Sequence, residues 1–302
     1  MRLVRNETAK VMQGNDNHPA SYYVATAKEM AERPALSGEE RADVCVIGGG
    51  FTGISAALNL AEKGYDVVLL EAERLGYGAS GRCGGLIGSG QRKDVLEMEH
   101  LYGADQSRVL WDFAEAAKEE IRSRVKKHRI QCDLQKGQVV GIHKQSYCDW
   151  PQELADALAD RYDYPHCRAL DASEVGDMVA TPTFLGGLWD AEAMTLHPLN
   201  YVLGLARAAT EAGVRIYENS RVRWYTRKDP SEVKTRHGSV RASFVVLACN
   251  GYLGKLERRV AGKIMPINNF MIATEPLGEK RSRELISGRF GVHDTRFVVN
   301  YF

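Results

Sequence analysis

The sequence predicts an α/β protein carrying a second, smaller domain of α+β type. Three observations carry this. A short, β-branched apolar run, Asp43-Val-Cys-Val-Ile47, leads into a glycine cluster and then a helix-forming stretch, Ile54 to Lys63. A second short apolar run, Val67 to Leu70, follows and closes at Glu71. Far from both, Gly137 to His143 reads as a strand of a different sheet, mixed or antiparallel.

Runs of four or five apolar residues are expected of strands buried on both faces. Gly64 stands where a helix would stop. Strand, helix and strand make a βαβ unit with its strands parallel.

At 302 residues the chain can bury a sizeable core, in one large or two medium domains. Its 40 Lys+Arg against 39 Asp+Glu leave a formal charge of +1, so no basic field invites nucleic acid. With 44% apolar and 26% charged residues it is neither disordered nor fibrous as a whole. Six cysteines, Cys45, Cys83, Cys132, Cys148, Cys167 and Cys249, include no CxxC pair, which removes the usual zinc and dithiol motifs; no metal site is expected. They read as reduced thiols of a cytoplasmic protein. The N-terminus shows no apolar signal core. Val44 to Ala61 lacks any charge over 18 positions, but four are Gly, and Thr52, Ser55 and Asn59 interrupt it. No integral membrane segment is therefore expected.

Residues 1–20 read as a loose polar extension, Ser21 to Ala31 as a short helix, and Arg33 to Gly38 as a linker. Val95 to Lys127 reads as one or two amphipathic helices and Trp150 to Arg161 as another. Pro198 to Ala212 is a helix with proline in its first turn and Gly213 at its end. Short strands are expected at Val214–Tyr217, Val222–Arg227, Val233–Arg236, Ser243–Ala248, Ile264–Thr274 and Phe297–Phe302. The last run stops inside apolar sequence, which predicts a piece of a longer protein. The expected division is 1–41 as extension and linker, 42–136 plus 195–262 as a discontinuous nucleotide-binding domain, and 137–194 plus 263–302 as an incomplete substrate domain.

Gly48, Gly50 and Gly53 form GxGxxG between strand and helix, with Glu71 lying 18 residues beyond Gly53. In this Rossmann-like context each part has a role: a tight turn at Gly48, close pyrophosphate approach at Gly50, and helix–sheet packing at Gly53. The helix N-terminus offers N–H donors to phosphate. Glu71 can accept from ribose hydroxyls, and its charge disfavours a 2′-phosphate. This unit does not choose between FAD and NAD. The glycine-dense loop Arg74 to Gly85, with Ser80 and Arg82, suits a flavin held along its whole length. A structural glycine turn followed by a flexible loop is the non-binding alternative.

SYYVATA from Ser21, the stretch Asp43–Ala72, GASGRCGG from Gly78, HPLNYVLGLARAA from His197 and VLACNGYLG from Val246 together resemble the D-amino-acid-oxidase-like flavin oxidoreductases. Within that family they are similar to the gamma-glutamylputrescine-oxidising branch. The resemblance covers about residues 21–302. It implies a glutathione-reductase-type FAD-binding domain with Gly48, Gly50, Phe51, Thr52, Gly53, Glu71 and Ala72 around the ADP half. Ser80, Gly81 and Arg82 would lie along the pyrophosphate and ribityl chain, and Cys83, Gly84 and Gly85 near the isoalloxazine. Val222 would meet adenine, with Ala248 and Asn250 beside the ADP moiety. Relatives often carry Asn at the position of Cys83, which raises a redox or covalent role against simple space filling, and they continue well past Phe302.

The implied reaction is oxidation of a small-molecule amine, gamma-glutamylputrescine-like or a related amino acid or secondary amine, as in putrescine catabolism. A hydride equivalent passes to the flavin, and the imine hydrolyses to aldehyde and ammonium. Dioxygen, giving hydrogen peroxide, or another electron acceptor completes the cycle. The competing readings are an NAD-linked dehydrogenase and a non-catalytic truncated nucleotide-binding product. His197, Trp189, Tyr301, Asn268, Asn269 and Glu275 are candidates to line the pocket, and none is assigned a catalytic role.

Overall fold

A computed structural model describes residues 18–28 and 31–302, so most of the expected polar extension lies outside the described residues. The chain forms two compact units. One comprises the chain up to Cys83 with Lys127–Cys132 and His197–Ala273; the other comprises Gly84–Lys126, Asp133–Leu196 and Thr274–Phe302. In chain order the strands are β1 (Gly38–Ile47), β2 (Val67–Leu70), β3 (Leu86–Ile87), β4 (Gln135–Gly141), β5 (Cys167–Leu170), β6 (Gly187–Thr195), β7 (Arg215–Tyr217), β8 (Trp224–Tyr225), β9 (Ser231–Lys234), β10 (Gly238–Leu247) and β11 (Gly291–Asp294). Among the described residues, no helix is long and apolar enough to cross a membrane.

The first unit is built on a sheet ordered β7-β2-β1-β10-β9-β8. β7, β2, β1 and β10 run parallel, with Val46 opposite both Leu69 and Val246. Cys45, Val46, Val68 and Leu69 are wholly buried, as strands covered on both faces must be. The helix Phe51–Glu62 packs on β1 and β2 of this sheet and against the helix Pro198–Glu211. The second buries Val202, Leu205, Ala206 and Ala209, a spacing of three and four that puts them on one face.

β1 is longer than the expected strand, because Gly38–Arg41 continue the pairing onto Gly238–Arg241. The expected helix from Ser21 shrinks to Tyr22–Ala25. The strand expected over Val222–Arg227 is reduced to β8. The expected strand at Ile264–Thr274 is absent. Met265, Ile267, Phe270 and Ile272 there are 76–91% exposed, and no neighbouring strand among the described residues supplies a ladder. Over Phe297–Phe302 only the end pairs: Phe302 and Val292 exchange backbone hydrogen bonds at 2.9 and 3.0 Å.

The second unit holds a mixed sheet ordered β11-β4-β6-β3, with β5 also on β6. Only β11 and β4 are parallel. β4 bulges between Lys136 and Gln138, where Gly137 has φ +100° and the Trp189 indole fills the space a side chain would need. Trp189 also meets Phe290 edge-on at 5.5 Å, which makes it a core residue. Lys118 is buried here, with its ammonium 2.6 Å from Glu115, 2.7 Å from the Ser89 hydroxyl and 3.1 Å from the Tyr164 phenol. Tyr164 in turn donates to Asp190 at 2.7 Å. Burial, and then the Asp190 charge, push that phenol well above its ordinary range.

A buried ammonium is tolerated only while its partners stay in place. Lys118→Ala should cost about 3 kcal/mol of stability, read from urea unfolding, because it removes the cation shared by the half-buried Glu115 carboxylate, the Ser89 hydroxyl and the Tyr164 phenol.

Candidate functional site

The turn after β1 is shaped by backbone crowding. Gly48 sits at φ +115°, and a Cβ there would lie 2.5 Å from the Ala248 carbonyl oxygen. A Cβ on Gly53 would collide with the carbonyl oxygen of Gly48 itself. These two glycines are therefore demanded by packing before any ligand is considered. Gly50 is the N-cap of the Phe51–Glu62 helix, and a Cβ there would stand 2.8 Å from the Ser80 hydroxyl. Ser80 accepts from the Phe51 N–H at 3.1 Å, occupying one of the donors that a helix start leaves free.

Glu71 joins the two turns. Its carboxylate accepts from the Gly49 N–H at 2.5 Å and from the Glu73 N–H at 3.0 Å. Burial pushes this carboxyl above its ordinary value of 4.5, against backbone N–H groups of Glu73, Gly49 and Ala72 that favour the anion. The loop from Arg74 is anchored by Glu218, which accepts from the Leu75 N–H at 2.7 Å and pairs with the buried Arg74 guanidinium at 3.0 Å. Further along, Leu199 and Val202 pack into the space left open at Gly76, and Leu199 also meets Gly81.

A cleft runs along the carboxyl ends of the parallel strands, where open α/β sheets bind nucleotides. Of the sequence-predicted residues, Gly48, Gly50, Glu71, Ala72, Ser80, Val222, Ala248 and Asn250 line it. Phe51, Thr52 and Gly53 lie in the adjoining helix, with the Phe51 ring 5.7 Å from Tyr201. Gly81, Arg82 and Cys83 continue the loop beyond the cleft wall. Arg82 donates to the Tyr252 phenol at 2.7 Å, and its guanidinium lies 5.7 Å from the Tyr77 ring centre. Gly84 and Gly85 belong to the second unit, where the Gly85 carbonyl accepts from the Leu196 N–H at 2.9 Å.

Several cleft residues escaped the sequence reading: Tyr77, Arg221, Cys249, Tyr252, Leu253 and Leu256. Tyr252 lies inside the quoted VLACNGYLG run, and Arg221 directly precedes Val222, so neighbourhood was the available signal. His197 caps the Pro198–Glu211 helix, its Nδ1 accepting from the Asn200 N–H at 3.1 Å. Tyr301 is half exposed in an isolated bridge with His293, and Asn268, Asn269 and Glu275 are exposed outside any strand.

A helix start at one end, a half-buried carboxylate at the other and no Cβ at Gly50 fit the phosphates and ribose of an ADP half. The profile of the FAD dependent oxidoreductases matches residues 43–302. The chain belongs to this family. Over 286 residues it is 37% identical to gamma-glutamylputrescine oxidoreductase of Escherichia coli, covering 94% of this chain and 67% of that one. It is 38% identical to a probable oxidoreductase, OrdL, of Rhizobium meliloti, over 93% of this chain and 66% of the relative. L-amino acid deaminase from Proteus myxofaciens superposes with a TM-score of 0.61 at 26% identity, covering 76% of this chain and 49% of its own. Glycine oxidase from Geobacillus kaustophilus gives 0.53 at 25%, covering 73% and 58%. The chain thus spans about two thirds of the curated relatives it matches and roughly half of these solved chains. As in the rest of the family, the cofactor is FAD, and Gly48, Gly50, Glu71 and the helix start are the residues here that would hold its ADP half.

Because the folded Glu71 value lies above the unfolded one, its contribution to stability is complete below the unfolded value and is lost as pH rises through the folded value. Glu71→Gln should therefore flatten the fall in urea-unfolding stability on going from acid to neutral pH. The amide replaces one of two accepting oxygens, so the FAD dissociation constant, read by flavin fluorescence, should rise about 10-fold.

Proposed function

We propose that this chain serves the FAD-dependent oxidation of a small amine, of the gamma-glutamylputrescine kind or a related amino acid or secondary amine. The observation that carries the reading is the 37% identity, over 94% of the chain, to a protein named for that substrate. The structural neighbours at 25–26% identity are named for L-amino acids and glycine, which are amines as well.

For a primary amine the net reaction takes amine, water and dioxygen to aldehyde, ammonia and hydrogen peroxide. Two electrons and two protons leave the carbon–nitrogen unit, and water then replaces nitrogen. When bound, FAD supplies the two-electron acceptor for that carbon. The chain's own contribution is binding and orientation. The Phe51–Glu62 helix start and the turn Gly48–Gly53 would take phosphate, and Glu71 would offer its carboxylate to ribose. The loop through Ser80, seated on Leu199, fixes the next stretch of the cofactor. Cys249 in the cleft wall is held as a thiol, because burial, and then the nearby Glu71 charge, push it up to about 11. It therefore supplies no thiolate near neutral pH.

The visible spectrum of the purified chain, loaded with FAD and gel-filtered, tests both layers. Flavin bands should travel with the protein and bleach when amine is added without oxygen. Bands left in the small-molecule fraction would sink the cofactor reading for this chain. Retained bands that no amine bleaches would sink the amine reading alone.

A further inference from the structure

Residues 18–28 lie ahead of the 43–302 family match, yet they dock on the first unit through a specific contact set. Ser21 caps the short turn Tyr22–Ala25, and the Thr26 hydroxyl donates to the Tyr22 carbonyl at 2.7 Å. His197 Nδ1 accepts from the Asn200 N–H, so it carries no proton. Nε2 must then hold the ring proton, and it donates to the Thr26 hydroxyl at 2.9 Å. The Lys28 N–H donates to the Asn200 side-chain oxygen at 3.0 Å. The Tyr23 ring stands edge-on to His197 at 5.1 Å. Three strap residues thus grip one helix turn, that of Pro198.

The same turn presents Leu199 to Gly76 and Gly81, and Val202 to Gly76. The loop between those glycines carries Ser80, which accepts from the first N–H of the nucleotide helix. Burial, and then Cys83 at the end of that loop, push the Tyr23 phenol up to about 12. Strap, helix turn and flavin loop are therefore in unbroken contact inside one unit.

We propose that Ser21–Lys28 is a flavin-positioning strap. Through His197 and Asn200 it fixes the helix turn that seats the Gly76–Cys83 loop, and so tightens FAD more than its adenosine end. The inference rests on the flavin assignment. The Glu71 end has ties of its own, to Gly49 and Glu73 and through the Ser220 N–H on the Glu71 carbonyl.

A contact path alone does not establish coupling, so the test measures coupling. Thr26→Val keeps shape and removes the acceptor; Thr26→Ser restores it. His197→Asn keeps a capping acceptor while losing the ring and its reach to Thr26. In the full chain, Thr26→Val and His197→Asn should each raise the FAD dissociation constant about 10-fold, the weight of one buried hydrogen bond. Thr26→Ser should match wild type, and AMP, measured as a competitor of FAD, should bind all four proteins alike. In the flavin-free protein, Thr26→Val should also speed amide exchange at Gly76 and Phe51. Wild-type FAD affinity in Thr26→Val, or an equal loss for AMP and FAD, overturns the proposal. So does unchanged exchange at those two amides if a variant binds too poorly to titrate. A wild-type chain that takes up no FAD overturns the flavin assignment itself, a different result from a strap variant that binds normally.

Discussion

Among the described glycines, the tightest approach is that of Gly53 to the carbonyl of Gly48. It draws the Phe51–Glu62 helix down onto β1, and everything at the cofactor end follows from that. The helix start then reaches Ser80, the turn reaches Glu71, and Ala248 closes over Gly48 from the end of β10. A methyl group at either glycine would have to displace backbone, which a packed sheet resists far more than a side chain does.

Charge is handled differently in the two units. In the first, carboxylates serve backbone: half-buried Glu71 and buried Glu218 accept N–H groups of the loops they organise. Arg74 answers the second of these charges. In the second unit Lys118 is the organising group, and two hydroxyls and one carboxylate gather on it. Such arrangements give a loop one geometry because every alternative leaves an ion unpaired.

What could be read in the sequence was local. Gly48, Gly50, Gly53 and Glu71 announce themselves by spacing along one βαβ unit, and β2 fell on its expected residues, Val67–Leu70. The helix at Pro198 was legible for the same reason, its limits being written by proline and glycine. What stayed hidden depends on distant partners. Tyr252 and Leu256 reach the cleft only because β10 pairs with β1, a match no periodicity contains. The grip of Thr26 on His197 joins residues 171 positions apart. Ile264–Thr274 misled because an apolar run records a wish to be covered and does not say by what. Its side chains stand exposed among the described residues.

The pairing of β1 with β10 also sets an order of events. Cys45 finds Val245 across the sheet, and the Ala248 N–H completes the bond to Ile47 that shuts the turn. A ribosome adding roughly 5–20 residues per second needs tens of seconds to travel between those points. Throughout that interval the nascent β1 has only β2 beside it, and one apolar edge faces whatever else is in the cell. Most of the second unit, Gly84–Lys126 and Asp133–Leu196, emerges in that interval. The Gly48–Gly53 turn, early in the chain, therefore closes only after β10 has emerged.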